Sequence, residues 1–442
     1  MTFHEARADG EYSAQGNKYP GGLAAVAVIH EIFGNIKPRD FSVVFWDGSV
    51  WEAETHQARF RLIFRAPEVV RSMFLQPSSL TFGEAYVFGD FDVDGSLREV
   101  FPLADRLFEW KPEVLQRVRL ARLLLAIPSS SNRTIPGRVW KPESLFLGRR
   151  SRHRTQQAIA FHYDLPVEFW RLWLDPRMVY SCAYFQTLQT SLQEAQERKL
   201  DYICRKLELQ PGDRLLDMGC GWGSLIEYAA QHYDIVAHGV TLSEQQAKFA
   251  AMRLREAGLS DRVKVEVMNF LDVDGVYDKI ASVGSVEHVP EAALSSYFCR
   301  AFHLLRPGGL FLNHGITRFP TLPIESGTSF LDRYVFPDYH LATIAETIEQ
   351  AEVAGFDILD VENLREHYAL TLQYWYDRLR ANREQITTII GIEGYRVFEL
   401  CLLGSEHEFR RGLMGLHQTL LRKPSNEYSR APVTREHWYT KT

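Results

Sequence analysis

At 442 residues the chain has room for two or three domains. It is 45% hydrophobic and 24% charged with a net charge of −6, the balance of a globular protein with a full core, which excludes a general polyanion binder. The opening stretch MTFHEARADGEYSAQGNKYPGG lacks an apolar leader, no run approaches the ~18 apolar residues of a membrane span, and the five scattered cysteines (Cys182, Cys204, Cys220, Cys299, Cys401) show no metal or disulfide spacing, so a cytoplasmic setting is expected.

Residues 1–127 read as a smaller α+β domain. FSVVFWDGSVWEAE holds two strands about an Asp-Gly turn, and ARFRLIFRAP alternates as a third strand. PEVVRSMFL and SLREVFPLADRLFEW are helical. Between Arg106 and Arg154 stand twelve Lys and Arg against three Glu. VLQRVRLARLLLAI (114–127) mixes arginine with an apolar stripe, and residues 128–155 form a basic linker ending in RRSRHR. This pattern predicts a peripheral contact with an anionic membrane surface. Nucleic acid is not expected, because no aromatic residues interleave with the arginines.

Residues 156–442 read as the larger domain, with strands and helices alternating from about residue 198. LDYICRKLEL is a helix, DRLLDMG a strand, SLIEYAAQHY a helix, DIVAHGVTL a strand and SEQQAKFAAMRLREAG a helix. VKVEVMNF, YDKIASVGSV and, after the turn RPGG, GGLFLNHGI complete five strands. Such alternation predicts a parallel-rich, Rossmann-like sheet covered on both faces, with ligands beyond the carboxyl ends of its strands.

LLDMGCGWG (215–223) decides among three cofactors. It lacks the Gly-Lys-Ser/Thr ending of a nucleoside-triphosphate loop. Its glycine spacing fails the dinucleotide pattern, and the second strand ends at Thr241 with no acid for a ribose; Glu244 lies beyond, in the next helix. A close-approaching backbone without a phosphate cradle suits S-adenosylmethionine, and LRPGG before the fifth strand is the matching late motif of class I methyltransferases.

FHYDLPVEFW, LDPRMVYSCAYF, LLDMGCGWG, GVTLSEQQ, SVEHV, LNHGIT and DRYVFPD, in that order, resemble the cyclopropane-fatty-acyl-phospholipid synthase family and its mycolic-acid methyltransferase relatives. The resemblance covers about 160–425 closely and reaches the first domain through SLTFGEAYVFGDFDVDGSL (79–97). It implies S-adenosylmethionine as donor, unsaturated phospholipid acyl chains as acceptor and bicarbonate as general base. Carried over by position, Tyr180 and Ser181 contact the cofactor, and Gly219, Cys220 and Gly221 line its methionine end. Thr241 and Gln246 lie along the ribose, and Asn269 and Phe270 flank the adenine. Cys182, Glu287, His314 and Tyr368 hold the bicarbonate.

The chemistry makes sense of these types. An isolated alkene is a poor nucleophile, so the sulfonium methyl must be held aligned over it. Aromatic faces can stabilise the resulting carbocation, and a small polar base in an apolar pocket can take the proton whose loss closes the ring. The chain also departs from the family: Val286 stands where a Phe is common, and His314-Gly315-Ile316 replaces His-Thr-Ile. The glycine is expected to open space beside the bicarbonate. Ser405 stands where many members carry Cys, with Cys401 nearby, which argues against a cysteine adduct. The donor is unaffected, while the product is open between a cyclopropane and a methyl or methylene branch. A small-molecule methyltransferase is the weaker alternative, since it needs neither the first domain nor the linker. A non-catalytic lipid carrier would not need the cofactor residues. A homodimer is allowed.

Overall fold

The computed structural model describes residues 21–129, 162–321, 329–337, 339–426 and 433–439. From residue 130 onward, the basic linker and its RRSRHR cluster lie outside these residues. In the first part, β1 (Ser42–Val44) pairs antiparallel with β2 (Val50–Trp51) across the predicted turn, and β3 (Phe60–Phe64) runs parallel to β1. β4 (Phe91–Gly95) closes the order β2-β1-β3-β4. β3 buries Phe60, Leu62 and Phe64 and exposes Arg61, the two-residue period of a strand with one core face. Pro67 opens helix Pro67–Phe74, where a missing N–H costs nothing, and Ser78 caps helix Ser79–Val87 by accepting from Thr81 N–H.

Helix Val114–Ala126 buries Leu120 and Leu124 against helix Gly22–Phe33. Its opposite face is exposed and apolar: Val114, Val118 and Leu125 form a stripe, with Leu115 beside it and Arg117, Arg119 and Arg122 on the flanks. Among the described residues no helix is long and apolar enough to cross a membrane.

The chain folds as two compact units whose limits differ from the sequence reading. The described residues of the first fall within Met1–Lys141, Glu325–Tyr334 and Ile390–Gly404; the rest form the second. The domain expected to run unbroken over 156–442 therefore lends two segments to the first unit. Inside the first unit the loan is paid in buried hydrogen bonds, Tyr86 and Tyr395 hydroxyls both donating to Glu399, at 2.6 and 3.0 Å.

The second unit is a seven-stranded sheet in the order β10-β11-β9-β8-β5-β6-β7. β5 (Arg214–Met218), β6 (Val236–Thr241), β7 (Val263–Val267), β8 (Tyr277–Val283) and β9 (Leu305–Arg318) are the five predicted strands, all parallel. RPGG is not a turn before β9 but a bulge within it: register jumps from Tyr277↔Leu305 to Lys279↔Leu310. β10 (Asp357–Asn363) and β11 (Met414–Arg422) were not expected, and β11 lies antiparallel between β9 and β10. Alternate residues feed separate cores on the two faces. Leu215, Leu312 and Leu420 enter one, and Leu216, Phe311 and Leu421 the other.

Candidate active site

β5 ends at Met218 and the chain turns through Gly219 (φ 97°) and Gly221 (φ 53°). Side chains rarely tolerate these left-handed values. A Cβ on Gly219 would lie 1.8 Å from Ser285 Oγ, whereas one on Gly221 would meet only Gln246 Nε2, at 3.9 Å. The protein's own packing thus demands the first glycine, while the second borders open space. The N–H groups of Gly219 and Cys220 both donate to Val240 O, at 3.0 and 2.9 Å, which ties the loop to β6.

That space is a cavity of about 370 Å³. All nine residues expected to bind the cofactor wall it: Tyr180, Ser181, Gly219, Cys220, Gly221, Thr241, Gln246, Asn269 and Phe270. Thr241 Oγ1 donates to Gln246 Oε1 at 2.8 Å, which leaves the Gln246 amide nitrogen as a donor near Gly221. Asn269 Oδ1 accepts from Leu271 N–H at 3.0 Å, and Phe270 meets the edge of Tyr297 at 5.4 Å. The Tyr180 ring is packed among Trp170, Trp375 and Trp173, at 4.9, 5.1 and 5.4 Å.

Four further titratable residues of the wall were not given a role from the sequence: Tyr163, Lys199, Asp217 and His288. Asp217 Oδ1 is buried without a hydrogen-bond partner, and burial pushes the carboxyl up to about 7 against the pull of Lys199. Tyr163 Oη and His288 Nε2 lie 3.2 Å apart, and desolvation brings the imidazole down to about 4, so it faces the cavity neutral. The signal for Asp217 was its place, an acid closing an apolar strand directly before the glycines. Lys199 stands on a helix rich in charge, and nothing in its spacing marks it as buried.

None of Cys182, Glu287, His314 and Tyr368 is among the cavity-wall residues. Glu287 Oε1 accepts from Ile316 N–H at 2.7 Å, two residues beyond His314 on β9, while its Oε2 is buried without a partner. Burial pushes this carboxyl up to about 7. His314 Nδ1 lies 3.1 Å from Gln418 Nε2 on β11, across the Gln418↔His314 register. With that amide nitrogen donating, the imidazole carries its proton on Nε2, an atom also buried without a partner. Burial, with Lys199 and Lys206 nearby, drives His314 well below its ordinary value, so the ring is neutral. A satisfied core histidine would not leave Nε2 bare, nor a helix cap Oε2. Cys182 Sγ and Tyr368 N–H share the Leu364 carbonyl, at 3.9 and 3.0 Å, and Lys199 acts on both Cys182 and His314. The Tyr368 ring packs on Phe409 at 4.8 Å. A neutral N–H donor and a carboxyl that is half-protonated near neutrality suit a small oxyanion such as bicarbonate, which can both accept and donate.

Gly315 does not open space here. A Cβ at that position would lie 2.4 Å from Val286 Cγ1, so the branched side chain occupies the volume that the glycine vacates. The two departures from the family are one packing solution. Cys401 is buried in the first unit.

Comparison with known proteins follows the same lines. The profile of the family described as mycolic acid cyclopropane synthetase matches residues 150–419, and a domain of unknown function matches 28–107. A probable fatty acid methyltransferase of Pseudomonas putida is 35% identical over 404 residues, 89% of this chain and 95% of its own length. Cyclopropane mycolic acid synthase 1 of Mycobacterium tuberculosis is 35% identical over 276 residues, 60% of this chain and 96% of its own. The solved structure of mycolic acid cyclopropane synthase CmaA1 with SAH and CTAB superposes with a TM-score of 0.58 at 34% identity, covering 61% of this chain and 98% of that one.

Proposed function

Because the chain belongs to the mycolic acid cyclopropane synthetase family and is an S-adenosylmethionine-dependent methyltransferase, we propose that it acts on the double bond of an unsaturated fatty acyl chain of a phospholipid, closing a cyclopropane ring with bicarbonate as base. The observation that carries the bicarbonate reading is the pair of buried, unpartnered atoms Glu287 Oε2 and His314 Nε2. The cofactor supplies an electrophilic methyl group when bound. In this reading Gly219, Cys220 and Gly221 bring backbone against its methionine end, the Gln246 amide and Thr241 serve the ribose, and Asn269 and Phe270 serve the adenine. Tyr180 presents an aromatic face, and Trp375 packed against it stiffens that face. Cys182, Glu287, His314 and Tyr368 would hold the bicarbonate that receives the proton, with Glu287 taking or giving a proton near neutrality.

The acceptor is reached at a bilayer. Helix Val114–Ala126 would lie on an anionic surface, Val114, Val118 and Leu125 entering the acyl boundary and the flanking arginines meeting headgroups. A second reading, methyl transfer without ring closure, is favoured by one fact: the Pseudomonas putida relative, which matches nearly the whole chain, is named a fatty acid methyltransferase.

The deciding experiment incubates the protein with vesicles of unsaturated anionic phospholipid and methyl-labelled S-adenosylmethionine, with and without added bicarbonate in degassed buffer. Cyclopropane protons by NMR and turnover that rises with bicarbonate are expected. A labelled methyl branch would establish the second reading, and a rate indifferent to bicarbonate would mean that a side chain is the base.

A further inference from the structure

Lys199 is a fully buried cation at the cavity wall; its charge is felt at Cys182 and His314, but its hydrogen bond goes neither to the glycine loop nor to the proposed bicarbonate set. Its Nζ donates to Ser181 Oγ at 2.9 Å. One turn earlier on the same helix, Leu192–Lys206, Gln196 Nε2 donates to the Ser181 carbonyl at 2.8 Å. The helix thus grips Ser181 at both its polar oxygens. A charged ammonium has donors only, so the hydroxyl must accept from it and is left with its own proton to give elsewhere. Ser181 is buried, and the space it borders is the cavity.

We propose that Lys199 is a positioning residue for cofactor binding: by donating to Ser181 Oγ it turns that hydroxyl into a donor aimed into the cavity, toward the carboxylate of the methionine end of S-adenosylmethionine. The proposal rests on the reading that this cavity holds the cofactor. Opposite charge is provided by Asp217, whose bare Oδ1 suits the ammonium of the same zwitterion. Lysine and aspartate would then read the two ends of one amino-acid group.

The groups facing Lys199 are Asp175 from the segment after helix Val167–Arg171, Cys182 beside Ser181, Asp217 on β5 and His314 on β9. Asp175 accepts from Arg177 N–H and Val179 N–H, both at 2.9 Å, and His314 is neutral. Burial brings Lys199 down to about 8, opposed by Cys182, Asp175 and Asp217. Above that pH, Nζ gains a lone pair and the Ser181 hydroxyl can swing back to donate to it. The cavity then loses a donor and a positive charge together, so the share of cofactor affinity that runs through Lys199 and Ser181 falls as pH rises through this range, while Asp217, at about 7, has largely completed its ionisation below it.

The test is calorimetric titration of the full chain with S-adenosylhomocysteine from about pH 7 to 9.5, a span that brackets the ordinary deprotonation of a buried lysine. The wild type is expected to lose about tenfold in affinity across one unit beyond the lysine titration, more steeply than Ser181→Ala. The ligand's own amino group titrates alike in every variant, so the difference between profiles is the readout. Lys199→Arg, which stays charged, should keep neutral-pH affinity and flatten the alkaline fall. Lys199→Met should bind weakly at every pH. Ser181→Ala, which removes only a hydroxyl, covers the case in which the lysine variants fold poorly. Superimposable profiles for wild type and Ser181→Ala would overturn the proposal. A wild type that fails to bind at any pH would instead remove the cofactor from this cavity.

Discussion

The glycine loop after β5 and the Glu287–His314 cluster are made by different parts of the chain. The loop is backbone: left-handed turns and N–H groups tied to Val240 O within one βα unit. The cluster is side chain, drawn from the short turn Val286–His288 beyond β8 and from β9 and β11, and its partners Ile316 and Gln418 are 29 and 104 residues away in sequence. The loop itself offers backbone groups that do not titrate, and the groups beside it that do, Lys199 and Asp217, belong to other elements. The cluster holds a carboxyl displaced to about 7 and an imidazole held neutral, both with one bare atom. A binding surface and a proton-handling site therefore tolerate change differently, and variants can separate them.

The largest effect is expected at Glu287. Glu287→Gln should lower turnover by on the order of 10³-fold, the usual worth of a positioned acid–base group, with cofactor affinity within about twofold of wild type. The same variant should gain stability at alkaline pH. Glu287 rises from 4.5 unfolded to about 7 folded, so its favourable contribution is complete below 4.5 and is lost as pH climbs through 7. Glutamine carries no such penalty, so chemical denaturation at about pH 8 should show a gain of about 2–3 kcal/mol that vanishes near pH 4.5. Unchanged stability with unchanged turnover would dissolve the distinction between the two regions.

Gly221→Val tests the other side. It places a side chain in the cavity at φ 53°, near nothing but Gln246, so the fold should survive while cofactor affinity falls by about 100-fold in calorimetry. Next comes the coupled pair. Gly315→Ala should cut turnover about tenfold, because its Cβ would meet Val286 Cγ1 at 2.4 Å and push apart the segments bearing Glu287 and His314. Val286→Ala in the same chain should restore most of that loss, and strict additivity of the two changes would show that they do not share the space. The smallest effect belongs to the first unit. Arg122→Gln should weaken co-sedimentation with anionic vesicles about fivefold, near 1 kcal/mol, and salt should erase the difference.

How far the sequence spoke follows the same division. The five parallel strands and the helices between them were legible because each is local, and seven of the nine expected cofactor residues line the cavity because they stand at or just beyond the ends of those strands; Tyr180 and Ser181, which precede the first strand, came from the resemblance alone. RPGG read as a turn because glycine and proline signal one, yet pairing on both sides turned it into a bulge. β11 was silent: MGLHQTLLR becomes a strand only between β9 and β10, where Gln418 finds His314. Lys199 was silent as well: it stands on a charge-rich helix, and only the packing of that helix against Ser181 shows it buried. Gly315 looked like missing volume, but Val286 fills it from 29 residues away (315 − 286), a contact no spacing announces.

The two segments lent to the first unit limit how this protein can be shortened. A gene cut near residue 150, where the family profile begins, would keep every wall residue of the cavity. It would also strip Glu325–Tyr334 and Ile390–Gly404 of what they pack on. Phe330 would lose the backbone at Gly83, where a Cβ would sit 2.2 Å from its ring, and Tyr334 its acceptor Glu84. Glu399 would keep Tyr395 but lose the Tyr86 hydroxyl. The N-terminal part is thus no detachable tag. Grafting the front end of this protein onto another catalytic unit would therefore mean transplanting three pieces of chain together.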